Sequence, residues 1–281
     1  WTNHHSIVEY QGQWYLFYHH NDYSPQFDKN RSVRIDSLNF NPDGTIQKVI
    51  PTLRGVGLTK ARSHIQIDRY SALQGKGIGI DYLDKNNCFA GWRTLFSKSN
   101  TALLYNKVDF GNEKVEEITV RAKSPKGGVL VVRADGKKGN IIAKVKIPKS
   151  AAWKNVRAQV LHAPQGVHAI HVSLQSGADV EVDWLGFDAL PWEKGAFETH
   201  QYRNLFAEMG YKQADIDRKV NEVFNDVFYG KNKVYFEVGD SMGYVSDVKN
   251  NDVRTEGMSY GMMAAVQFDK KDIFDRLWRW S

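Results

Sequence analysis

The spacing of apolar residues divides this chain into three textures. In residues 6–20, SIVEYQGQWYLFYHH, two extended aromatic-rich runs flank Gln11-Gly12, which is a β-hairpin pattern. Residues 31–49, RSVRIDSLNFNPDGTIQKV, repeat it around Asn41-Pro42-Asp43-Gly44. Two hairpins do not bury a core by themselves, so residues 1–59 predict a portion of a larger β structure. Residues 60–189 alternate cleanly. In EEITVRAKS, Ile118, Val120 and Ala122 fall on one face. GGVLVVRADGKKGNIIAKVKIP predicts two strands around Asp135-Gly136, and GVHAIHVSLQSGADVEVDWLGF predicts two more. Strands at this spacing predict a complete β-sandwich. SAAWKN around Trp153 reads as a polar loop between strands. The closely spaced glycines of GKGIGID, residues 75–81, lack a phosphate-loop lysine and also read as a loop.

The period changes again in residues 190–281. In ADIDRKVNEVFNDVFYG, Ile216, Val220, Val223, Phe224, Val227 and Phe228 recur at helical spacing, and Gly230 follows as a C′ residue. EGMSYGMMAAVQF predicts a second helix with Thr255 or Asp252 as N-cap. Its apolar residues run almost all round, which predicts an interior helix. KKDIFDRLWRW starts a third. The expected fold class is therefore multidomain: mainly β over residues 1–59 and 60–189, followed by the opening of a larger helical domain over 190–281.

Composition narrows this picture. The chain has 281 residues, 42% hydrophobic and 25% charged, which is globular and long enough for more than one domain. No apolar run is long enough to cross a bilayer, so no membrane partner is expected. The chain opens at Trp1 with neither an initiator Met nor a signal-like start, as an internal piece of a longer protein would. Cys88 is the lone cysteine, which excludes an intramolecular disulfide and a Cys-based zinc site. Residues 60–189 carry 20 Lys and Arg against 12 Asp and Glu, while the flanking segments hold 5 against 5 and 13 against 15. The whole chain has a sequence pI near 9.1, but its basic middle carries no nucleic-acid motif. Its lysines alternate with apolar residues and read as solvated strand faces.

Among polar residues, Glu256 stands out, in the first turn of a predicted helix. The helix dipole favours its anion by about 0.3–1 kcal/mol, and Arg254 pushes the same way. Burial, or Asp240, Asp247 and Asp252 nearby, would favour keeping a proton. The pairs His4-His5 and His19-His20 lie on predicted strands. Adjacent residues there point to opposite faces, so neither pair chelates one ion alone.

GAFETHQYRNLFAEMGY and VYFEVGDSMGYVSDVKNNDVRTEGMSYGMM closely resemble the start of the family 8 glycoside hydrolases, nearest in kind to those that release xylose from the reducing end. The resemblance covers about residues 190–281. It implies an (α/α)6 barrel, inverting hydrolysis of β-1,4-xylo-oligosaccharides, and Glu256 as general acid. The general base of that family is an aspartate far downstream. NHHSIVEYQGQWYLFYHH and NRSVRIDSLNFNPDGTIQKVIPT resemble the last part of a family 43 glycoside hydrolase, a five-bladed β-propeller acting on arabinose- and xylose-containing polymers. That likeness places His4 near the central cavity and Arg31 near bound sugar. VDFG, ITVRAKSPKGG, the Trp153 segment and VDWLGF are similar to a family 6 carbohydrate-binding module. Such modules grip sugars between two aromatics beside a polar amide. Trp153 matches one aromatic position and Phe96 falls where the other is usually Tyr, though Phe96 by itself reads as core rather than as a ligand contact; Asp179 or Glu181 stands where the amide does. Trp153 then reads either as an exposed stacking platform or as a side chain folded onto the sandwich edge. The module family often holds a structural calcium, for which Gln66, Asp68 and Asp183 are the candidates; no cofactor is needed for the chemistry. The implied partners are xylan, arabinoxylan or xylo-oligosaccharides, not nucleic acid, in a secreted or periplasmic setting.

Overall fold

The computed structural model describes residues 4–23 and 31–281. Asn3 and Asn30, at the ends of two stretches quoted above, lie outside the described residues. The chain forms two compact units, residues 1–199 and 200–281.

In the first unit, strands His5–Tyr10, Gln13–His20 and Ser32–Leu38 make a three-stranded antiparallel sheet. Gln11 and Gly12 both have positive φ, +51° and +76°, which is the turn geometry that matches strand twist. The second predicted hairpin is reduced: the turn closes with Gly44 N–H donating to the Asn41 carbonyl at 2.9 Å, but only a Phe40–Ile46 bridge follows. Buried Asp36 ties the sheet together, accepting from the Tyr18 and Thr52 hydroxyls at 2.6 Å each. Burial first, and then the Asp36 carboxylate, push the Tyr18 phenol up to about 12.

Two six-stranded sheets follow as a sandwich. The first runs Ser150–Gln159, Glu117–Ser124, Val180–Phe187, Trp92–Phe96, Ile78–Tyr82, with Ile65–Gln66 also on Val180–Phe187. The second runs Ile141–Ile147, Gly128–Ala134, Val167–Gly177, Thr101–Asp109, Thr59–Lys60, with Ala72–Gln74 also on Thr101–Asp109. Ile118, Val120 and Ala122 point into the core as the alternation predicts, against Leu103, Tyr105, Val132, Val172 and Leu174. Two expected loops are strands instead. SAAWKN lies within the edge strand Ser150–Gln159, and GKGIGID contributes to the opposite edge, Ile78–Tyr82.

The three-stranded sheet and the sandwich share one unit through aromatic contacts. Trp92 is stacked between Tyr82 at 4.6 Å and Tyr23 at 4.5 Å, and the Tyr23 hydroxyl donates to Asp68 at 3.1 Å. Contacts of this unit continue into the segment after the sandwich. Leu190 N–H donates to the Arg62 carbonyl, and Trp192 stacks on His64 at 4.0 Å.

The second unit holds helices Leu205–Glu208, Gln213–Phe228, Thr255–Gln267 and Lys271–Trp280. It also contains a small sheet, Tyr235–Val238, Met242–Asp247 and Asp252–Val253, which the periodicity did not predict. Phe224, Phe228, Tyr235, Met258, Ala265, Ile273 and Leu277 form its core. The expected interior helix buries only one face here: Met258, Gly261 and Ala265 are covered, whereas Tyr260, Met263 and Val266 are exposed. Its N-cap is Arg254 with extended backbone, not Thr255 or Asp252, because the Asp252 carboxylate is turned to the Arg254 guanidinium. Among the described residues no helix is long and apolar enough to cross a membrane.

Candidate functional site

Glu256 occupies the first turn of helix Thr255–Gln267, exposed, directly after the Asp252–Val253 strand. Its Oε1 accepts from the Tyr260 hydroxyl at 3.1 Å, one helical turn on, and its carbonyl accepts from Ser259 Oγ at 2.7 Å. This hydrogen bond to a carboxylate raises the Tyr260 phenol above its ordinary range. Arg254 Nε lies 3.1 Å from both Asp247 Oδ2 and Asp252 Oδ1. Asp247 also accepts from Asn250 Nδ2 at 2.7 Å, the main reason its carboxyl lies below the usual carboxylate range. These two aspartates therefore neutralise Arg254. Neither is paired with Glu256.

The outer face of the first sandwich sheet gathers several predicted residues. Trp153 is partly buried, and both Lys123 Nζ, at 4.9 Å, and the Arg121 guanidinium, at 5.4 Å, lie over its ring. Lys123 reaches Glu181 Oε2 at 3.2 Å, and Arg93 reaches the same oxygen at 2.7 Å. Arg93 also pairs with Asp81 at 3.1 Å, and Asp81 with Lys85 at 3.3 Å. Arg121 pairs with buried Asp183. A continuous ladder of opposite charges thus crosses this face from Trp153 to the far edge.

Three other predicted residues lie elsewhere. Phe96 is a correction: it is 0% exposed in the sandwich core, so it has no face to offer a sugar. Alternation along Trp92–Phe96 puts it on the inner side. Asp179 sits in the turn before Val180–Phe187 with φ +52° and pairs with Lys126 at 2.6 Å. His4 stands at the open end of the three-stranded sheet, its N–H donating to His19 Nε2 at 3.1 Å. Desolvation, then Arg31 and His4, hold His19 below the ordinary histidine range, so the structure brings those three together.

Gln66, Asp68 and Asp183 are neighbours through backbone pairing: Gln66 opposes Trp184, and Ile67 N–H donates to the Asp183 carbonyl at 3.0 Å. Burial raises both carboxyls. Asp183 is already neutralised by Arg121, and Asp68 meets Arg69 at 3.2 Å and the Tyr23 hydroxyl. A calcium ion needs six to eight oxygen ligands, and this donor set, compensated by guanidinium groups, does not fit one. Among the described residues no group of three His, Cys, Asp or Glu side chains converges. Sequence reasoning missed the stacking of Trp192 on His64 and the embedding of Trp92 between two tyrosines. Both depend on contacts between residues far apart in the chain.

Comparison with known proteins places two family models on the chain. Residues 76–189 match the carbohydrate binding module family 6, and residues 239–281 match the glycosyl hydrolases family 8. A reducing end xylose-releasing exo-oligoxylanase from Halalkalibacterium halodurans is 57% identical over 91 residues, 31% of this chain and 23% of that protein. Xylosidase/arabinosidase 43A of Humicola insolens is 48% identical over 46 residues, 16% of this chain and 14% of that protein. An arabinoxylan arabinofuranohydrolase of Paenibacillus polymyxa is 24% identical over 190 residues, 61% of this chain and 28% of that protein. The chain spans about a quarter of the length of the exo-oligoxylanases it matches. Its parts are thus similar to glycoside hydrolases of xylan degradation and to a carbohydrate-binding β-sandwich.

Proposed function

We propose that this chain is part of a multidomain glycoside hydrolase of xylan, with Glu256 as general acid of an inverting attack on β-1,4-xylo-oligosaccharides. The observation that carries this reading is the placement of Glu256. It lies within the family 8 match, exposed at the start of a helix, with its Oε1 held by Tyr260. In this reading Oε2 is the oxygen that faces the leaving group. An inverting enzyme also needs a second carboxylate, about 6.5–9.5 Å from the acid, to activate water. Asp247 and Asp252 are engaged by Arg254, and the family's base lies far downstream of its acid. Residues 190–281 are read as the opening of an (α/α)6 barrel, residues 1–59 as the last part of a family 43 propeller, and the sandwich as a glycan-binding module. The matches to a xylosidase/arabinosidase and to an arabinofuranohydrolase support the second of these. A polymeric substrate fits a secreted or periplasmic setting.

Residues 1–281 alone should not turn over xylo-oligosaccharides, since loss of a general base removes about 10²–10⁴-fold in rate. A chain extended through the rest of the barrel should release xylose from the reducing end. Glu256→Gln in that protein should lower the rate by a similar factor with an unchanged melting profile. Full activity of the variant, or hydrolysis by residues 1–281 alone, overturns the assignment.

One observation favours a second reading, in which the sandwich is a spacer: the Trp153 ring is covered by two cations and Phe96 is buried. Retention of the chain in a xylan affinity gel separates the two.

A further inference from the structure

The outer face of the second sandwich sheet carries a cavity of about 410 Å³ that none of the readings above uses. Strand register explains why it exists. Val131 pairs with Ser173, Ser173 with Ala102, and Ala102 with Gln74, so four side chains stand in one row across four strands. The two middle ones are small, and they open a depression between Val131 and Gln74. Arg133 and His171 are paired in the next row, and Lys137 comes over the rim from the turn after Gly128–Ala134.

The charge of this cavity is one-sided. Arg133 and Lys137 line it, and among the described residues no carboxylate does. Arg133 donates to the Gly139 carbonyl at 2.9 Å, and among the described residues neither cation is in an ion pair. On the first sheet, by contrast, Arg93, Arg121 and Lys123 are all matched by carboxylates. His171 is 3% exposed and meets Gln74 Oε1 at 3.2 Å. Since that oxygen only accepts, Nε2 carries the hydrogen, and Nδ1 is left as a buried acceptor with no partner among the described residues. Burial first, then Arg133 and Lys137, keep this imidazole below its ordinary range and therefore neutral. Arg133 and Lys137 thus supply the positive charge. The small side chains of Ser173 and Ala102 keep the floor shallow, and Gln74 at the far end supplies an amide for hydroxyls.

We propose that this cavity binds the carboxylate of an acidic sugar, resting on the reading of the chain as part of a xylan-degrading protein, so that the ligand is a uronic acid carried as a side group on xylan. A guanidinium beside an ammonium recognises a carboxylate by charge and by hydrogen bonding. A neutral pentose would leave both cations unused. A free phosphate shares the chemistry of a compact anion, and it is told apart by the preference for native over carboxyl-reduced glucuronoxylan.

The test uses the whole chain in affinity electrophoresis against three immobilised polymers: glucuronoxylan, the same polymer after chemical reduction of its carboxyl groups, and neutral arabinoxylan. Glucuronoxylan should retard the chain several-fold more than its reduced form, and high salt should remove the difference. Lys137→Ala and Arg133→Gln should each weaken that retardation by about fivefold, as loss of one half-exposed ion pair does. Lys138→Ala, next in sequence but outside the cavity, is the control and should change nothing. Melting curves identify any variant that has lost its fold, and Lys137, being exposed, keeps the test independent of Arg133. Equal retardation by native and reduced glucuronoxylan overturns the acidic-sugar site while leaving xylan binding intact. Retention unaffected by the Lys137→Ala, Arg133→Gln double variant overturns it as well. Displacement by millimolar inorganic phosphate with no preference for glucuronoxylan shows an unspecific anion site and overturns it too. Failure to bind any of the three polymers sinks the glycan-binding reading of the sandwich together with this inference.

Discussion

Replacing Gly177 by alanine should destabilise the sandwich far more than the same change at Gly166. Gly177 ends strand Val167–Gly177 opposite Gly128, and its φ is +92°. A Cβ there would lie 2.3 Å from the Gly127 carbonyl oxygen and 2.5 Å from Gly128 Cα. Both are backbone atoms, so no side-chain rotation relieves the contact, and the strands must part. Gly166 also has positive φ, +76°, but a Cβ there meets nothing within 4 Å. The left-handed backbone alone costs about 1–2 kcal/mol for an L side chain. The overlap at Gly177 adds about 1–3 kcal/mol. At about 2–4 °C per kcal/mol for a unit of this size, Gly166→Ala should lower the melting midpoint by roughly 2–8 °C and Gly177→Ala by roughly 4–20 °C. Scanning calorimetry of the whole chain can assign the loss to the unit that contains the sandwich. Equal losses in the two variants would falsify the claim that backbone contact makes Gly177 special. The position bears on function, because this hairpin carries both His171 and Ser173 of the cationic cavity and Glu181 and Asp183 of the charge ladder.

Three further outcomes are expected. His168 is held above the ordinary histidine range chiefly by its 2.8 Å hydrogen bond with Asp135, so its stabilisation is complete below about pH 6.5 and fades as pH rises through the raised folded value; His168→Gln should flatten that part of the melting-temperature profile, and an unchanged profile would refute the pairing. Arg121→Ala leaves Asp183 buried without its cation and should cost about 2 kcal/mol at neutral pH, the Arg121 side chain being 34% exposed; because burial already raises this carboxyl, the loss should shrink as pH falls and Asp183 takes up a proton, and a loss independent of pH in urea melts would argue against it. If xylan stacks on Trp153, Trp153→Ala should weaken affinity-gel retention by a few kcal/mol at most, whereas unaltered retention would place xylan elsewhere.

Much of the sandwich was legible because its signals are local. Asp135-Gly136 and Gln11-Gly12 both adopt the positive φ that their residue types favour, and the Ile118, Val120, Ala122 alternation points inward. The errors cluster at sheet edges. In SAAWKN and GKGIGID, an edge strand exposes enough of its length that small, polar and glycine residues suffice, so alternation fades. Phe96 illustrates a different limit: its position along the chain matches a ligand-contacting aromatic, and only the direction of its strand face shows that it is core. The small sheet Tyr235–Val253 was hidden between two helical periods, each of its strands being six residues or fewer. Glu256 was legible only as a first-turn carboxylate; nothing local announces that Arg254 pairs with Asp247 and Asp252. The cavity of Arg133, Lys137 and His171 could not be read at all, since it depends on the register of four strands.

The two outer faces of the sandwich answer differently to a sugar. On the first sheet, a ring that stacks on the Trp153 face occupied by Lys123 or Arg121 would displace that cation. That forfeits about 0.5–1 kcal/mol for an exposed cation–π contact and disturbs the pairing with Glu181 or Asp183. A neutral sugar brings no charge to restore that balance. On the second sheet, among the described residues, Arg133 and Lys137 have no carboxylate partner to lose. The charge pattern thus differs between the two faces: matched by carboxylates on the first sheet, and cationic at the cavity on the second. A module with this arrangement would sort xylans by their acidic substituents rather than by their backbone. Within a larger hydrolase, that would hold the enzyme to the decorated regions of the polymer.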